Sequence, residues 1–229
     1  MSIFHKHGTA QAEVEVAGEL GYFGLASWWS ALFTEAERDH IEMLFQPPGF
    51  SPSAQPLTTG HKRMDFRSAA DLLTAVAGYL REEPEDRALA MRLLAKAEER
   101  AKAQEDTLAL HLAYQEIIRL HCRWRDQFPD AVDLIYGACH KQITIATEVA
   151  MLFEKSRPGQ GLPVHMGFQM MAVLLEQEGS FAQAIELCKQ ARFQGWSGNW
   201  TWRIGTLARK LAQRGDPIRN ISPSGLTPL

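Results

Sequence analysis

The 229-residue chain is short of the features that mark specialised protein classes. Its three cysteines, Cys122, Cys139 and Cys188, are odd in number and far apart. That spacing argues against a disulfide scaffold and for buried, reduced thiols in a cytoplasmic protein. The chain lacks an apolar run of about 18 residues, so no membrane span is expected. Its opening residues lack the charged and apolar regions of a secretory signal. A formal charge of −3 gives no global case for a nucleic-acid or membrane partner. Alternating apolar and polar residues bounded by hairpin turns are missing, which removes strands and leaves an all-α fold. No G-x-S-x-G, H-E-x-x-H or paired C-x-x-C occurs, and "RPGQGLP" (157–163) has no following lysine to make a phosphate loop. No catalytic residue, cofactor or metal is therefore assigned.

What is present is helical periodicity. Residues 1–18 read as a flexible lead-in. Residues 19–67 hold N-terminal helices and a Pro-rich loop, 68–215 a helical domain, and 216–229 a C-terminal tail. Trp28, Trp29, Leu32 and Phe33 recur at helical spacing. Thr34 and Glu37 then form the Thr-x-x-Glu signature of a capping box. Pro47 and Pro48 stop that helix, and 46–63 is the longest internal loop. Beyond Ser68 the pattern predicts helices near 69–82, 86–102, 105–125, 130–141, 146–155, 165–178, 181–194 and 200–213.

The best-defined segment is "HMGFQMMAVLLEQEGSFAQAIELCKQARFQGW" (165–196). Phe168, Met171, Ala172 and Leu175 share one face of its first helix. Gly179 suits the positive φ of a helix C-terminus. Ser180 and Gln183 read as the next capping box. Ala184, Leu187, Cys188 and Ala191 share a face of the second helix, and Gly195 closes it. This segment resembles a tetratricopeptide repeat, a helix–turn–helix unit of about 34 residues. Ala172, Gly179, Phe181, Ala184 and Ala191 stand at the family's small, turn and aromatic positions, while Trp196 stands in place of its closing proline. Weaker echoes lie at 72–101 (Gly78, Ala90, Ala97) and 117–143 (Phe128, Ala131, Ala138), with Arg119 at a small-residue position.

The resemblance implies stacked antiparallel hairpins in a short solenoid, closed by N-terminal helices and a C-terminal helix. It also implies a groove lined by the first helix of each hairpin, for a protein or peptide partner. The candidate groove residues are Tyr79, Glu82, Glu116, Trp124, Gln169, Val173, Glu176 and Gln177.

Other clusters have simpler readings. His121-Cys122 and Cys139-His140 are adjacent pairs whose members point about 100° apart on a helix. They read as packed thiols and half-buried histidines, not as zinc ligands. Glu37 and His40 have the Glu-x-x-His spacing of di-iron bundles, but no second copy exists. Glu85 and Asp86 in "REEPEDR" favour a helix N-terminus.

The last helix places Trp200, Ile204, Leu207 and Leu211 on a buried seam, with Asn199 as N-cap. Trp196 is expected to pack back near Ala191. Trp202 and Arg209 lie opposite the seam, and Arg203, Lys210 and Arg214 flank it. Residues 189–219 carry seven Lys or Arg and one Asp, a local +6 that leaves −9 on the rest of the chain. This basic, aromatic surface suits an acidic protein or a second copy through the C-terminal helix. A nucleic-acid backbone fits less well, because the rest of the chain is acidic. An enzyme with dispersed catalytic residues is the third reading.

Overall fold

The computed structural model describes residues 17–51, 54–60 and 63–214. Most of the expected lead-in and all of the expected tail fall outside these residues. The helices are α1 (Gly18–Tyr22), α2 (Ala26–Leu32), α3 (Glu35–Leu44), α4 (Ala69–Tyr79), α5 (Arg87–Ala103), α6 (Thr107–Arg123), α7 (Ala131–Thr144), α8 (Ala146–Ser156), α9 (Met166–Gln177), α10 (Phe181–Phe193) and α11 (Trp200–Gln213). All eight helices expected beyond Ser68 are there, with ends shifted by three residues at most. The chain is all-α in character. Among the described residues no helix is long and apolar enough to cross a membrane.

Helix starts and stops follow side-chain chemistry. Thr34 and Glu37 form the expected capping box, with Thr34 N donating to Glu37 Oε2 at 2.8 Å. Ser68 accepts from Asp71 N and Asp106 from Ala109 N, which start α4 and α6. Gly179 has φ +76°, and the amides of Gly179 and Ser180 return to the carbonyls of Glu176 and Leu175. This is a Schellman turn. It also corrects the reading of Ser180. Its backbone amide is used by the turn, and its side chain makes no capping bond to α10. Asn199 likewise makes no side-chain cap on α11. Asp86 does not cap α5; its carboxylate meets His40 Nε2 at 2.7 Å.

Gly179→Ala tests the turn. An L-residue in the left-handed region costs roughly 1–2 kcal/mol. A Cβ there would also lie 2.0 Å from Arg214 Nη1 and push that side chain away. Urea unfolding should show a loss of about 1–2 kcal/mol with unchanged slope.

Packing alternates along the chain. α4 lies on α5, α5 on α6, α6 on α7, α7 on α9, α9 on α10 and α10 on α11, while α4 also touches α6. Buried alanines at these contacts, including Ala90, Ala97, Ala113, Ala138, Ala172, Ala184 and Ala191, let the helix axes approach closely. The N-terminal helices rest on α5. Arg92 donates to Leu32 O at 3.1 Å and its guanidinium lies 4.6 Å from the Phe33 ring, while Arg100 donates to Gly24 O. Trp29 and Phe33 are buried, as their spacing suggests, but Leu32 faces solvent.

Two features depart from a plain run of hairpins. α8, expected as a helix, lies between α7 and α9 and packs on α6 and α7. Two short parallel strands, β1 (Leu162–Val164) and β2 (Trp196–Ser197), pair Leu162 with Trp196, and Ser197 Oγ donates to Leu162 O at 2.5 Å. Strands this short cannot show alternation, so only the tertiary contact reveals them.

Candidate binding groove

An open hollow of about 800 Å³ lies between α4 and α6. Helical spacing builds its walls. Arg67 precedes α4, whose Asp71, Thr74, Ala75 and Gly78 recur along one face, with Arg81 just beyond. Leu112, Gln115, Glu116 and Arg119 do the same on α6. Gly78 matters because it leaves room: a Cβ there would only just contact Arg81 Nη1 and Glu116 Oε1, at 3.5 and 3.6 Å.

Glu116 is buried and accepts Arg81 Nη1 at 2.8 Å and Arg119 Nη1 at 3.4 Å. Glu82 lies 3.6 Å from Arg81 and takes Arg123 at 2.5 Å. The Arg67 fork holds Asp71 at 2.7 and 2.8 Å. On the walls themselves Arg67, Arg81 and Arg119 face Asp71, Glu82 and Glu116, with Phe66, Ala75 and Leu112 as apolar surface between them. Thr74 Oγ1 is buried with no partner among the described residues. Mixed polarity of this kind suits a peptide segment and does not suit a polyanion.

The structure divides the expected groove. Tyr79, Glu82 and Glu116 do line the α4–α6 hollow, with Tyr79 braced edge-to-face on Phe45. Glu82 lies past the end of α4, in the turn before α5. Trp124 is not among the lining residues; its Nε1 donates to Arg81 O at 3.0 Å and ties the ends of α4 and α6 together. Gln169 and Val173 line a separate hollow of about 330 Å³ between α9 and α11, with Trp202 and Arg203. Glu176 holds Arg203 Nη2 at 2.9 Å and Lys210 Nζ at 2.6 Å, and Gln177 is exposed and lines neither hollow. Arg67, Asp71, Gln115 and Arg119 were not among the expected groove residues, although their three- and four-residue spacing places them on the same faces.

Comparison with protein-family models, curated proteins and solved structures returns no match.

A buried aromatic cluster that lines neither hollow joins α6, α8, β2 and the turn before α9, where α8 reaches α6. His111 of α6 stacks on Trp196 at 5.8 Å, while His165 meets Trp196 at 4.6 Å and His111 at 5.0 Å, and Phe153 of α8 closes one side. Trp196 thus packs on two histidines, partners that its place after Gly195 did not announce. Gln142 is fully buried and bridges the cluster, donating to His111 O at 3.0 Å and accepting from Gly167 N at 2.7 Å. His165 Nδ1 accepts from Phe168 N at 3.2 Å and so caps α9, which places the ring proton on Nε2. Burial pushes His111 down to about 4 and His165 to about 3, the latter helped by His111.

The other titratable pairs have structural partners. His121 is fully buried, touching Met91 Sδ and the Arg87 guanidinium, and burial lowers it to about 4. His140 is exposed. Neither histidine is half-buried as the sequence suggested. Burial pushes the Cys139 thiol up to about 12, with Cys122 adding to the rise, and raises Cys188 as well. Glu37 turns to Arg92 and Thr34, which hold it down at about 2, while His40 turns to Asp86. Among the described residues no three His, Cys, Asp or Glu side chains gather to hold a metal ion.

The expected basic surface also divides. Arg203 and Lys210 share Glu176, and Arg214 donates to Gly179 O and lies 4.9 Å from the Phe181 ring. These three fasten α11 to α9 and α10. Arg209 bonds only within α11, to Gly205 O and Thr206 Oγ1, and Trp202 is 69% exposed.

Proposed function

We propose that the chain is a non-enzymatic interaction module of the tetratricopeptide-like kind, which binds a segment of a partner protein in the α4–α6 groove. The observation that carries this reading is the open, charge-balanced hollow between two neighbouring helices of successive hairpins. The alternate packing of α4 to α7 and α9 to α11 supports a short solenoid. So does the spacing of α9 and α11, which start at Met166 and Trp200, one repeat length of about 34 residues apart. α8 and β1 are then an insertion between the second and third hairpins, which lengthens the distance from Ala131 to Ala184. In this reading α1 to α3 close one end and α11 the other.

The nucleic-acid reading is weakened by the way Arg203, Lys210 and Arg214 are used inside the fold. Gly78→Leu provides the test. Leucine is a better helix former than glycine, and its side chain would enter the hollow. Selection from a displayed peptide library on the wild-type chain should yield a consensus segment. The Gly78→Leu variant should bind that segment at least about tenfold more weakly, a loss of about 1.4 kcal/mol. Equal binding by both proteins, or selection of no consensus, would reject the groove.

A further inference from the structure

The open side of α11 is a second surface, separate from the α4–α6 groove. Residues 189–214 contain six cationic side chains and no carboxylate. Lys189 meets Glu186, while Arg203 and Lys210 share Glu176, and Arg214 is turned onto Gly179 and Phe181. Arg192 and Arg209 are different. Arg192 touches only Thr201 Oγ1, at 3.4 Å, and Arg209 only Gly205 O and Thr206 Oγ1, so neither meets a carboxylate among the described residues.

Both guanidiniums belong to the stretch of α11 that carries Trp202, Arg209 within it and Arg192 through Thr201. Thr201, which holds Arg192, precedes Trp202 in the first turn of α11. Arg209 follows Trp202 by seven residues, two turns or about 10 Å along the same face. Gly205 lies between them with open space above it. On its other side Trp202 borders the hollow of about 330 Å³ whose walls include Met170 and Val173. The surface thus combines a socket with Met170, Val173 and Trp200 beside Gln169, Asn199 and Arg203, an exposed indole, and two guanidiniums without carboxylate partners among the described residues.

We propose that this surface docks an acidic amphipathic segment of another protein. One apolar side chain enters the socket against Trp202, Met170 and Val173, and carboxylates pair with Arg192 and Arg209. Charge complementarity selects this occupant: Glu176 is taken up by Arg203 and Lys210, and Arg192 and Arg209 have no carboxylate partner among the described residues. The acidic remainder of the chain opposes a long polyanion, and two free guanidiniums make a short footprint for one. Tryptophan and arginine are the residue types of interface anchors.

Fluorescence anisotropy with the full chain tests the proposal. The probes are a labelled helical peptide carrying leucine and glutamate at four-residue spacing, the same peptide with glutamine for glutamate, and a labelled oligouridylate. The glutamate peptide should bind, and its affinity should fall as salt rises from about 0.05 M to about 0.3 M. Trp202→Ala and Arg209→Gln should each weaken it by about tenfold, while circular dichroism shows the fold retained. Gly78→Leu should have no effect, which keeps failure here distinct from failure of the α4–α6 groove. Equal binding of the glutamine peptide, no effect of either substitution, or tighter binding of the oligouridylate would overturn it.

Discussion

Trp200→Ala is expected to destabilise the chain by about 3–5 kcal/mol, the cost of truncating a buried tryptophan. Trp202→Ala, two residues away, should stay within roughly 0.5 kcal/mol. The difference comes from their surroundings. Trp200 is 4% exposed and packs edge-to-face near Phe168, and its Nε1 donates to Trp196 O at 2.7 Å. Its removal opens a cavity between α9, α10 and α11 and takes the donor from a carbonyl in the β1–β2 contact. A Cβ on Gly198 would come within 2.8 Å of the Trp200 ring, so this region has little room to collapse or rearrange. Urea titrations followed by far-ultraviolet circular dichroism measure both variants without depending on tryptophan emission. Equal midpoints for the two would contradict the division of roles.

Acidification should be the other large effect. His111, His121 and His165 are neutral in the fold, at about 4, 4 and 3, because burial disfavours their charged forms. Unfolded, each would titrate near 6.5. A lowered folded-state histidine pKa means that the unfolded chain takes up the proton first. Stability is therefore full above about pH 6.5 and falls as the pH drops towards 4, by on the order of 3 kcal/mol per histidine. Glu37, held at about 2 by Arg92 and Thr34, loses its contribution only in stronger acid. Glu42 works in the opposite direction, since burial raises its pKa and the folded state takes up its proton first. His111→Phe keeps a ring stacked on Trp196 and removes one titrating group whose Nδ1 has no partner. The urea midpoint of the wild-type chain should fall steeply between about pH 7 and pH 4.5, and less steeply for His111→Phe. A midpoint independent of pH over that range would show that these histidines are not buried neutral.

The helices beyond Ser68 were legible because each carries an apolar stripe and a local stop. Gly179 ends α9 through its own backbone freedom, and Thr34 with Glu37 starts α3 through bonds three residues apart. The burial of Trp200, Leu207 and Leu211 followed from their arc on a single helix. Local capping was less certain where a tertiary contact competed. Asp86 turned to His40, 46 residues away in sequence, and the amide of Ser180 was taken by the preceding turn.

The candidate sites were half legible. Spacing identifies which residues share a helix face, while the resemblance to a tetratricopeptide repeat implied Tyr79, Glu116, Gln169 and Val173 as groove candidates. It does not state which faces meet. The two hollows form where α4 meets α6 and α9 meets α11, and the His111–Trp196–His165 cluster likewise joins residues of α6, β2 and the turn before α9 that are distant in sequence.

The sequence alone determined the helical class, the positions of the helices beyond Ser68 and the buried seam of α11, because these depend on interactions within a few residues. Only the tertiary structure decided how the cations of the C-terminal region are used. Glu176 neutralises Arg203 and Lys210, the α9–α10 turn holds Arg214, and Arg192 and Arg209 are left without a carboxylate among the described residues. The physical reason is that charge pairing depends on distance in space, and residues 27 and 34 positions apart become ion-pair partners only once α11 lies beside α9.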